Sequence, residues 1–530
     1  MEDALQAEQP LPLALLMARN NFQVDPAHPL GRQSAGTSFL KAYLQFSANN
    51  LHRLAVATKK EATWFHAQAQ QWAPGSRTQA VYINNWGEAG TASGALHIPD
   101  PQMDQWAWRR MPWGDGAFSL VNIVHTLCSA SVQRSLGQFS SSPVRSWDAL
   151  ICTSSAAQKA VTGFLERQEE WIKHRHQGLR FERPVLPVIP LGTNPDEWRT
   201  PGNKKNIQQR SRQKLNISLD AEIVLMAGRL DLLTKTQPAP MLRALAELKQ
   251  SEYPKLELLI YGEAPTPEMK ALWFSGAKKI APNLKIHWIP GRDAHLARVV
   301  RWAADVFVSL SDNPQETFGI TPLEAMAAGL PCLVSDWDGY RDTVIQPGES
   351  EPATGLRIKT RLVEGLGKEQ SHGLLHETLD YTHAVGQIAQ GIAVDLNNFK
   401  KALSTLLSNT ELRTSMGDAG QKRVQQHYAW RVVMEQWREL TSELRERREH
   451  GKRAGADTAP QLPPWLPETS VSFGCFASEV IPSHWNPEPP DPSTEANRLD
   501  NPFQSWDSSL LKSHSPRRRG WWLKEGLIEP

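Results

Sequence analysis

Cysteine is scarce in this chain of 530 residues. The four cysteines, Cys128, Cys152, Cys332 and Cys475, lie far apart, and no C-x-x-C spacing occurs. This distribution argues against a zinc site or a redox pair, and it suits a reducing compartment. We therefore interpret the cysteines as small core residues.

An excess of charge of one sign is also absent. Lys and Arg together number 58 and Asp and Glu 56, which gives a formal net charge of +2. This balance gives no support to a protein whose main task is to coat nucleic acid.

Long apolar runs are missing as well. No stretch approaches the roughly 20 apolar residues that are needed to cross a bilayer. The apolar segment Leu11–Ala18 follows the acidic start M-E-D-A-L-Q-A-E, where a signal peptide would carry positive charge. We interpret this segment as the first buried strand, and we expect a soluble, cytoplasmic protein.

Short apolar runs alternate with helical patterns along most of the chain, which is typical of an α/β fold with parallel sheets covered by helices. In the first half the predicted strands are Leu13–Met17, His52–Ala57, Ala80–Ile83, Leu120–His125, Ala149–Thr153 and Val185–Ile189. In the second half they are Ile223–Ala227, Leu256–Tyr261, Leu284–Trp288, Val306–Leu310 and Pro331–Val334.

The pattern predicts two domains, residues 1–200 and 201–395. The polar segment Gly192–Asn216, which carries prolines and lysines, is predicted to link them. Segment Lys359–Gly391 is less regular and is predicted to be an insertion. Helical patterns then cover residues 396–450.

The composition changes again at residue 451. Residues 451–530 contain P-P-W-L-P and P-E-P-P-D-P, which predicts a Pro-rich, disordered tail. The end of this tail, P-R-R-R-G-W-W-L-K-E-G, combines basic and aromatic residues. It would suit a weak peripheral contact with a membrane surface or a partner, although a solvated tail is the simpler interpretation.

The most informative segment is Ser311–Pro331, which reads S-D-N-P-Q-E-T-F-G-I-T-P-L-E-A-M-A-A-G-L-P. Glu316 and Glu324 have seven residues between them. Glu316 lies on a loop that contains a glycine, and Glu324 lies in the first turn of the predicted helix Pro322–Ala328. The arrangement places two carboxylates at the positive end of one helix.

The loop between the two glutamates is suited to hold an anion. Backbone N–H groups of Thr317, Phe318, Gly319 and Thr321 would point at a phosphate or a sugar hydroxyl at the helix N-terminus. Gly319 lets the backbone approach a ligand closely.

Three features together carry a family resemblance: E-x-F-G at Glu316, L-E-A-M-A-A-G around Glu324, and S-D-W-D-G at Ser335–Gly339. This combination resembles the E-x7-E element of the large GT-B glycosyltransferase group called group 1 or family 4. The resemblance implies two Rossmann-like domains that face each other across a cleft. It also implies a retaining enzyme that moves a hexosyl group from a nucleotide-diphosphate sugar. An ordinary strand, loop and core helix would explain one glutamate pair, but not the whole combination.

Two cations are expected near the diphosphate of such a donor. Arg229 and Lys235 stand in G-R-L-D-L-L-T-K, just beyond the strand Ile223–Ala227. The family pattern is G-R-L-x-x-x-K, so this chain has one additional residue before the lysine. An ordinary basic pair at a strand end is the alternative, and it is less favoured because the glutamate element lies in the same domain.

The resemblance implies that the first domain binds the acceptor and the second the nucleotide sugar. The first domain should therefore contribute an acceptor pocket, a glycine loop and a histidine. The segment G-R-Q-S-A-G-T-S from Gly31 stands where the family has its Gly-Gly loop, before a predicted helix Phe39–Ser47. Ala35 occupies the place of the first glycine, so close approach to the diphosphate is expected at Gly36 only. His125 ends a predicted strand and matches the histidine that lines the donor-sugar site in relatives.

The resemblance also implies roles. Glu316 would position sugar hydroxyls and Glu324 the ribose hydroxyls, and a phosphate oxygen of the leaving group would accept the proton of the acceptor. No cofactor and no metal are expected, because Arg229, Lys235 and the helix N-terminus would replace Mg²⁺. Asp336-Trp337-Asp338 is interpreted as a loop and not as a D-x-D metal motif.

The expected partners are a nucleotide-sugar donor and an acceptor that is a glycan, a lipid or a small molecule. A glycoside phosphorylase of GT-B architecture and a non-catalytic glycan-binding or scaffold protein stay open as alternatives. A glycosyltransferase that modifies nucleic acid is a third alternative, and the near-neutral charge counts against it.

Overall fold

The computed structural model describes residues 9–17, 19–23, 31–177, 181–453, 463–464 and 472. One compact unit comprises Met1–Gln461, and both large sheets lie in it. The predictions for the tail, and that for Cys475, fall outside the described residues.

Six parallel strands form the first sheet, in the order β3-β2-β1-β4-β5-β6. The strands are β1 Ala14–Met17, β2 Leu51–Val56, β3 Arg77–Tyr82, β4 Ala95–Ile98, β5 Ser119–Ile123 and β6 Ala149–Ile151. All four residues of β1 are buried, as expected for the centre of a parallel sheet with both faces covered.

The second sheet repeats this topology with the order β12-β11-β10-β7-β8-β9. Its strands are β7 Glu222–Ala227, β8 Leu256–Gly262, β9 Lys285–Pro290, β10 Val306–Ser309, β11 Cys332–Ser335 and β12 Gly355–Ile358. A short antiparallel ribbon pairs β13 Thr360–Leu362 with β14 Ile392–Val394. Both large sheets therefore have the doubly wound order of Rossmann-like domains.

Helices cover both faces of each sheet. In the first part of the chain they are α1 Arg19–Phe22, α2 Gly31–Phe46, α3 Lys59–Trp72, α4 Trp86–Ser93, α5 Asp104–Arg110, α6 Ala130–Gln138, α7 Ser155–Arg175 and α8 Lys204–Lys214. In the second part they are α9 Pro238–Ser251, α10 Pro267–Ile280, α11 Ala294–Ala303, α12 Ile320–Ala327, α13 Tyr340–Thr343, α14 Lys368–Leu375, α15 Tyr381–Ala389, α16 Leu396–Ser408, α17 Thr410–Arg423 and α18 Trp430–Arg453. Short 3₁₀ helices occur at Ile83–Asn85, Met111–Trp113, Phe139–Ser141 and Pro195–Glu197, and a π-helical turn at Val424–Tyr428.

Most predicted strands are present within a few residues of their predicted bounds, but three differences stand out. Strands β4, β12, β13 and β14 were not predicted. The predicted strand Val185–Ile189 forms only isolated parallel bridges beside β6. The predicted linker contains helix α8, and the predicted insertion contains α14 and α15. The predicted domain boundaries stay predictions.

Helix α18 returns the chain to the first sheet. Its residues Trp437, Leu440 and Leu444 belong to the same buried cluster as residues of β1 and α2. The Trp430 Nε1–H donates to Ser38 Oγ at 2.6 Å. Burial of these large side chains stabilises the attachment by an amount on the order of 2 kcal/mol for each residue. Within the described part of the chain, no helix combines the length and apolar character that crossing a membrane requires.

Candidate active site

The order of the strands indicates where a ligand can bind. In each sheet the strand order reverses beside the first strand, between β1 and β4 and between β7 and β10. Ligands of doubly wound sheets bind in the crevice at the carboxyl ends of such strands. At the second crevice, the loops after β7 and β10 contribute Arg229, Lys235 and Glu316 to one cavity, and α12 adds Thr321.

The loop after β7 is organised by Asp231. Its Oδ1 accepts the backbone N–H groups of Leu233 at 3.0 Å and Thr234 at 3.1 Å. Its Oδ2 lies 3.4 Å from Nη1 of Arg229. This carboxylate therefore closes the turn that leads to Lys235 and holds the guanidinium of Arg229 beside the cavity.

Lys235 and Glu316 meet across the cavity. The Lys235 Nζ lies 2.9 Å from Glu316 Oε2, and the exposed fractions of the two side chains are 32% and 14%. Burial alone would raise the pKa of Glu316. Lys235, the N–H of Phe318 and the charge of Arg229 outweigh that effect and hold this pKa below its usual value. Glu316 is therefore ionised at neutral pH.

Helix α12 begins directly behind this pair. Gly319 precedes it with a φ of 86°, and a Cβ at this position would lie 2.1 Å from Cε1 of Tyr340. The glycine brings no capping side chain, so the N–H groups of Ile320 and Thr321 have no acceptor within the helix. The backbone N–H of Phe318 points to the Glu316 carboxylate and helps to lower its pKa, and the Phe318 ring is buried, so contact of Phe318 with a ligand stays a prediction.

Glu324 differs from its prediction in two ways. The helix starts at Ile320 and not at Pro322, so Glu324 is its fifth residue and lies in the second turn. Its carboxylate forms an ion pair with the buried guanidinium of Arg301, which stacks at 4.5 Å on the ring of Trp198. Burial raises the pKa of Glu324, and Arg301 opposes that rise. Contact of Glu324 with ribose hydroxyls stays a prediction.

His125 lies just after β5, at the edge where the first domain meets the Glu316 loop. Its carbonyl oxygen accepts the hydroxyl of Thr317 at 3.3 Å. Burial and the nearby charge of Arg32 lower the pKa of His125 to about 4, so its imidazole is neutral at neutral pH. A second cavity is lined by His125 and Gly36. The backbone of His125 thus lies beside the glutamate loop, and contact of its imidazole with a donor sugar stays a prediction.

The expected glycine loop after β1 is helical, and this corrects the sequence interpretation. Residues from Gly31 onward form the first turns of α2. A Cβ at Gly36 would lie 1.9 Å from the carbonyl oxygen of Asn21 in α1. The glycine therefore permits two helices to touch, and its contact with a diphosphate stays a prediction.

Side chains of the second domain cap a helix of the first. Ser154 Oγ donates to Asp338 Oδ1 at 3.0 Å. The N–H of Ser155 donates to Asp342 Oδ2 at 2.6 Å. Because Ser155 begins α7, these carboxylates lie at the positive end of that helix, where negative charge is stabilising. The contacts hold the two domains together beside the Glu316 loop.

The segment Asp336-Trp337-Asp338 is a loop, and its carboxylates face different partners. Asp336 Oδ1 lies 3.2 Å from Nε of Arg341 and 3.3 Å from Nε of Arg357. Burial raises the pKa of Asp338 to about 7, and its hydrogen bond from Ser154 opposes that rise. Among the described residues, no cluster of three or more His, Cys, Asp or Glu side chains is suited to a metal ion.

Sequence reasoning did not single out Asp231, Arg301 or Tyr340. Asp231 directly follows the G-R-L motif, so the sequence carried a usable signal for it. Arg301 and Tyr340 are buried side chains of α11 and α13. No local pattern marks them, because their partners Glu324 and Gly319 lie elsewhere in the sequence.

Part of the chain matches a known family. Residues 207–369 match the family model described as glycosyl transferases group 1. Arg229, Lys235, Glu316 and Glu324 all lie inside the matched segment.

Curated relatives are D-inositol 3-phosphate glycosyltransferases of bacteria. The protein from Corynebacterium efficiens is 27% identical over 306 residues, which cover 57% of this chain and 68% of the relative. The one from Streptomyces avermitilis is 31% identical over 192 residues, which cover 35% of this chain and 38% of the relative. These two matches therefore span 38% and 68% of the relatives' length.

Solved structures share the fold. Anabaena HepE in complex with UDP and glucose has a TM-score of 0.53 and 13% identity, with 81% of this chain and 99% of that chain covered. Sucrose-phosphate synthase from Thermosynechococcus elongatus has a TM-score of 0.51 and 17% identity, with 82% and 99% covered. These likenesses show the GT-B fold, with its two Rossmann-like domains.

Proposed function

We propose that this chain, whose residues 207–369 match the glycosyl transferases of group 1, moves a hexosyl group from a nucleotide-diphosphate sugar to an acceptor. The observation that carries the proposal is the cavity at the crevice of the second sheet. Arg229, Lys235 and Glu316 line it together with the start of helix α12. Two cations and free amide groups suit a diphosphate, and an ionised carboxylate suits sugar hydroxyls.

The proposed chemistry is electrostatic. The bond between the anomeric carbon and the diphosphate oxygen breaks, and negative charge grows on the leaving group. Arg229, Lys235 and the first amides of α12 are fixed in place before the reaction, so they stabilise that charge without reorganising. Glu316 orients the sugar through its hydroxyl groups. The neutral imidazole of His125, which lines the neighbouring cavity of the first domain, would approach the sugar from that side.

We further propose retention of the anomeric configuration. The acceptor hydroxyl attacks the anomeric carbon from the same face of the sugar from which the leaving group departs. The proton of that hydroxyl passes to the leaving phosphate oxygen. This route requires neither an enzyme nucleophile nor a metal. Activity that survives EDTA would support a reaction without a metal. A product whose anomeric proton coupling matches that of the donor would support retention. Activity lost to EDTA and restored by Mg²⁺ would contradict the first, and an inverted anomer the second.

UDP-sugars are the first donors to test, since HepE was crystallised with UDP and glucose. A phosphorylated polyol is the first acceptor to test, since the curated relatives are named for D-inositol 3-phosphate. Donor turnover by the purified chain should be measured with a panel of UDP-, GDP- and ADP-sugars, by release of the nucleoside diphosphate.

The matched variants are R229M and R447M. Arg447 lies on α18 in an exposed ion pair with Glu443 at 2.7 Å, remote from the cavity, so R447M should behave as the unmodified chain. R229M should lose most turnover while its thermal stability changes little. Equal turnover of the two variants would contradict the proposal. Formation of sugar phosphate from a glycoside and inorganic phosphate, without a nucleotide, would favour a phosphorylase instead.

A further inference from the structure

The segment between β13 and β14 packs on the proposed donor site. It carries α14 and α15, and α15 begins beyond the segment that matches the family model. A Cβ at Gly386 of α15 would lie 2.7 Å from Cδ2 and 3.3 Å from Cα of Leu233. Helix α15 thus lies directly against the loop that carries Arg229 and Lys235, close enough to touch its backbone.

The same helix reaches the first domain through its first residue, Tyr381. The Tyr381 hydroxyl lies 3.2 Å from Sγ of Cys128 and 3.3 Å from Oγ1 of Thr126. Thr126 directly follows His125. Asp380 caps the helix by accepting the N–H of the next residue but one, which fixes where the tyrosine stands. One short helix therefore touches both loops that flank the proposed reaction centre.

The hydroxyl of Tyr381 remains a neutral donor and acceptor. Burial and the neighbouring Cys128 thiol raise its pKa above the usual range, so it does not ionise near neutral pH. Burial raises the pKa of the Cys128 thiol as well. The contact is thus a neutral hydrogen-bonded cluster of Tyr381, Thr126 and Cys128, and it holds over a wide pH range.

We propose that Tyr381 is a positioning residue that fixes the His125–Cys128 loop of the first domain against the Arg229–Lys235 loop of the second. The inference rests on the proposed function. In the proposed function the second domain holds the donor, and the first domain is expected to bind the acceptor. Loosening this contact should therefore disturb the alignment of acceptor with donor more than it disturbs donor binding, and water should compete better as the acceptor.

The principal test is Y381F, which keeps the ring and removes the hydroxyl. Y253F is the matched control, because the Tyr253 hydroxyl also makes hydrogen bonds, at 2.8 Å and 3.1 Å to Ser404, on the far side of the second domain. For Y381F we expect the acceptor KM to rise about 3- to 10-fold, as for the loss of one neutral hydrogen bond. The donor KM should change less, and the ratio of donor hydrolysis to transfer should rise. Y253F should leave all three quantities unchanged.

A second variant removes the same contacts from the other side. T126V/C128A leaves Tyr381 in place, and it should reproduce the rise in acceptor KM and in hydrolysis, even if Y381F fails to fold. A folded Y381F or T126V/C128A with the kinetics of Y253F would overturn the positioning role. If the unmodified chain turns over no nucleotide sugar in the panel, the proposed function falls and this inference falls with it. If the unmodified chain is active and both variants have its kinetics, only the inference about Tyr381 is overturned.

Discussion

The contact between Lys235 and Glu316 gives the sharpest prediction about the donor site. Changing Lys235 to Met keeps much of the aliphatic stem and removes the ammonium group 2.9 Å from Glu316 Oε2. The carboxylate then keeps only the N–H of Phe318 and the more distant charge of Arg229. Because burial is no longer opposed as strongly, the pKa of Glu316 should rise.

The magnitude follows from the kind of contact that is lost. A hydrogen bond to a charged group contributes about 1.5–3 kcal/mol, so losing the contact of Lys235 with the diphosphate should weaken nucleotide binding about 10- to 150-fold. Stability should suffer less. The Lys235 side chain is 32% exposed, and solvent screening limits the loss of unfolding free energy to about 1 kcal/mol.

The assay is calorimetric titration with UDP, GDP and ADP. Because these ligands carry no sugar, the titration measures binding of the nucleoside diphosphate alone. Lys400→Met is the control, because Lys400 forms a pair of similar length, 2.7 Å, with Glu247 on an outer helix face. K400M should bind the nucleotide as the unmodified chain does. Equal affinities of K235M and K400M for that nucleotide would refute the assignment of Lys235 to the donor site.

Three further outcomes are expected. Gly319→Ala should lower the melting temperature and abolish donor turnover, since its Cβ would lie 2.1 Å from the Tyr340 ring. Gly348→Ala is the control, because Gly348 has a similar φ of 93° and a Cβ there would have no atom within 4 Å. Its effect should be smaller, and the difference between the two variants measures the clash with Tyr340. Burial raises the pKa of Asp312 from 3.8 to about 7. This carboxyl group therefore lowers the unfolding free energy of the protein progressively as the pH rises from about 4 to 7. The unfolding free energy of Asp312→Asn, measured by urea unfolding, should therefore rise relative to that of the unmodified chain by at most about 4 kcal/mol between pH 4 and pH 8. A difference between the two proteins that is equal at both pH values would contradict this. A chain that ends at Arg453, where α18 ends, should keep its melting temperature and its turnover, and a marked loss of either would mean that the tail packs on the folded unit.

Much of the fold could be predicted because buried parallel strands leave a simple signal. Strand β7, for example, is one continuous apolar run after its first residue. Strand β12 was missed because its four residues, G-L-R-I, include an arginine. The Arg357 side chain is only 10% exposed, and it is neutralised by Asp336 and Glu349. These partners lie outside the strand, so a local pattern cannot reveal that the arginine fits there.

The segment from Gly31 shows the opposite error. Its glycines and serines favour a loop by composition, yet the chain is helical there. Gln33 and Ala35 are buried, and the Thr37 hydroxyl donates to the carbonyl oxygen of Phe22 in α1 at 2.7 Å. Packing against α1 stabilises a helix that intrinsic propensity disfavours, because tertiary contacts routinely outweigh propensity.

The candidate site divides in the same way. Glu316, Glu324, Arg229 and Lys235 could be identified because each stands in a contiguous motif. The Arg301 that neutralises Glu324 could not, since it reaches the glutamate from another helix. Sequence motifs thus identify the groups that would meet the substrate. The buried groups that orient them come from the packing of distant elements.

The two connections between the domains constrain how the site can open. Thr193, on the first connection, donates its N–H to the carbonyl oxygen of Tyr428 at 2.8 Å, and the N–H of Trp430 donates back to Thr193 at 3.1 Å. The outgoing and returning chains are therefore paired side by side. Any change in the angle between the domains must bend both connections together at this pairing. The hydrogen bond from Ser154 to Asp338 joins the domains at a further point, so a change in that angle would have to break this bond as well.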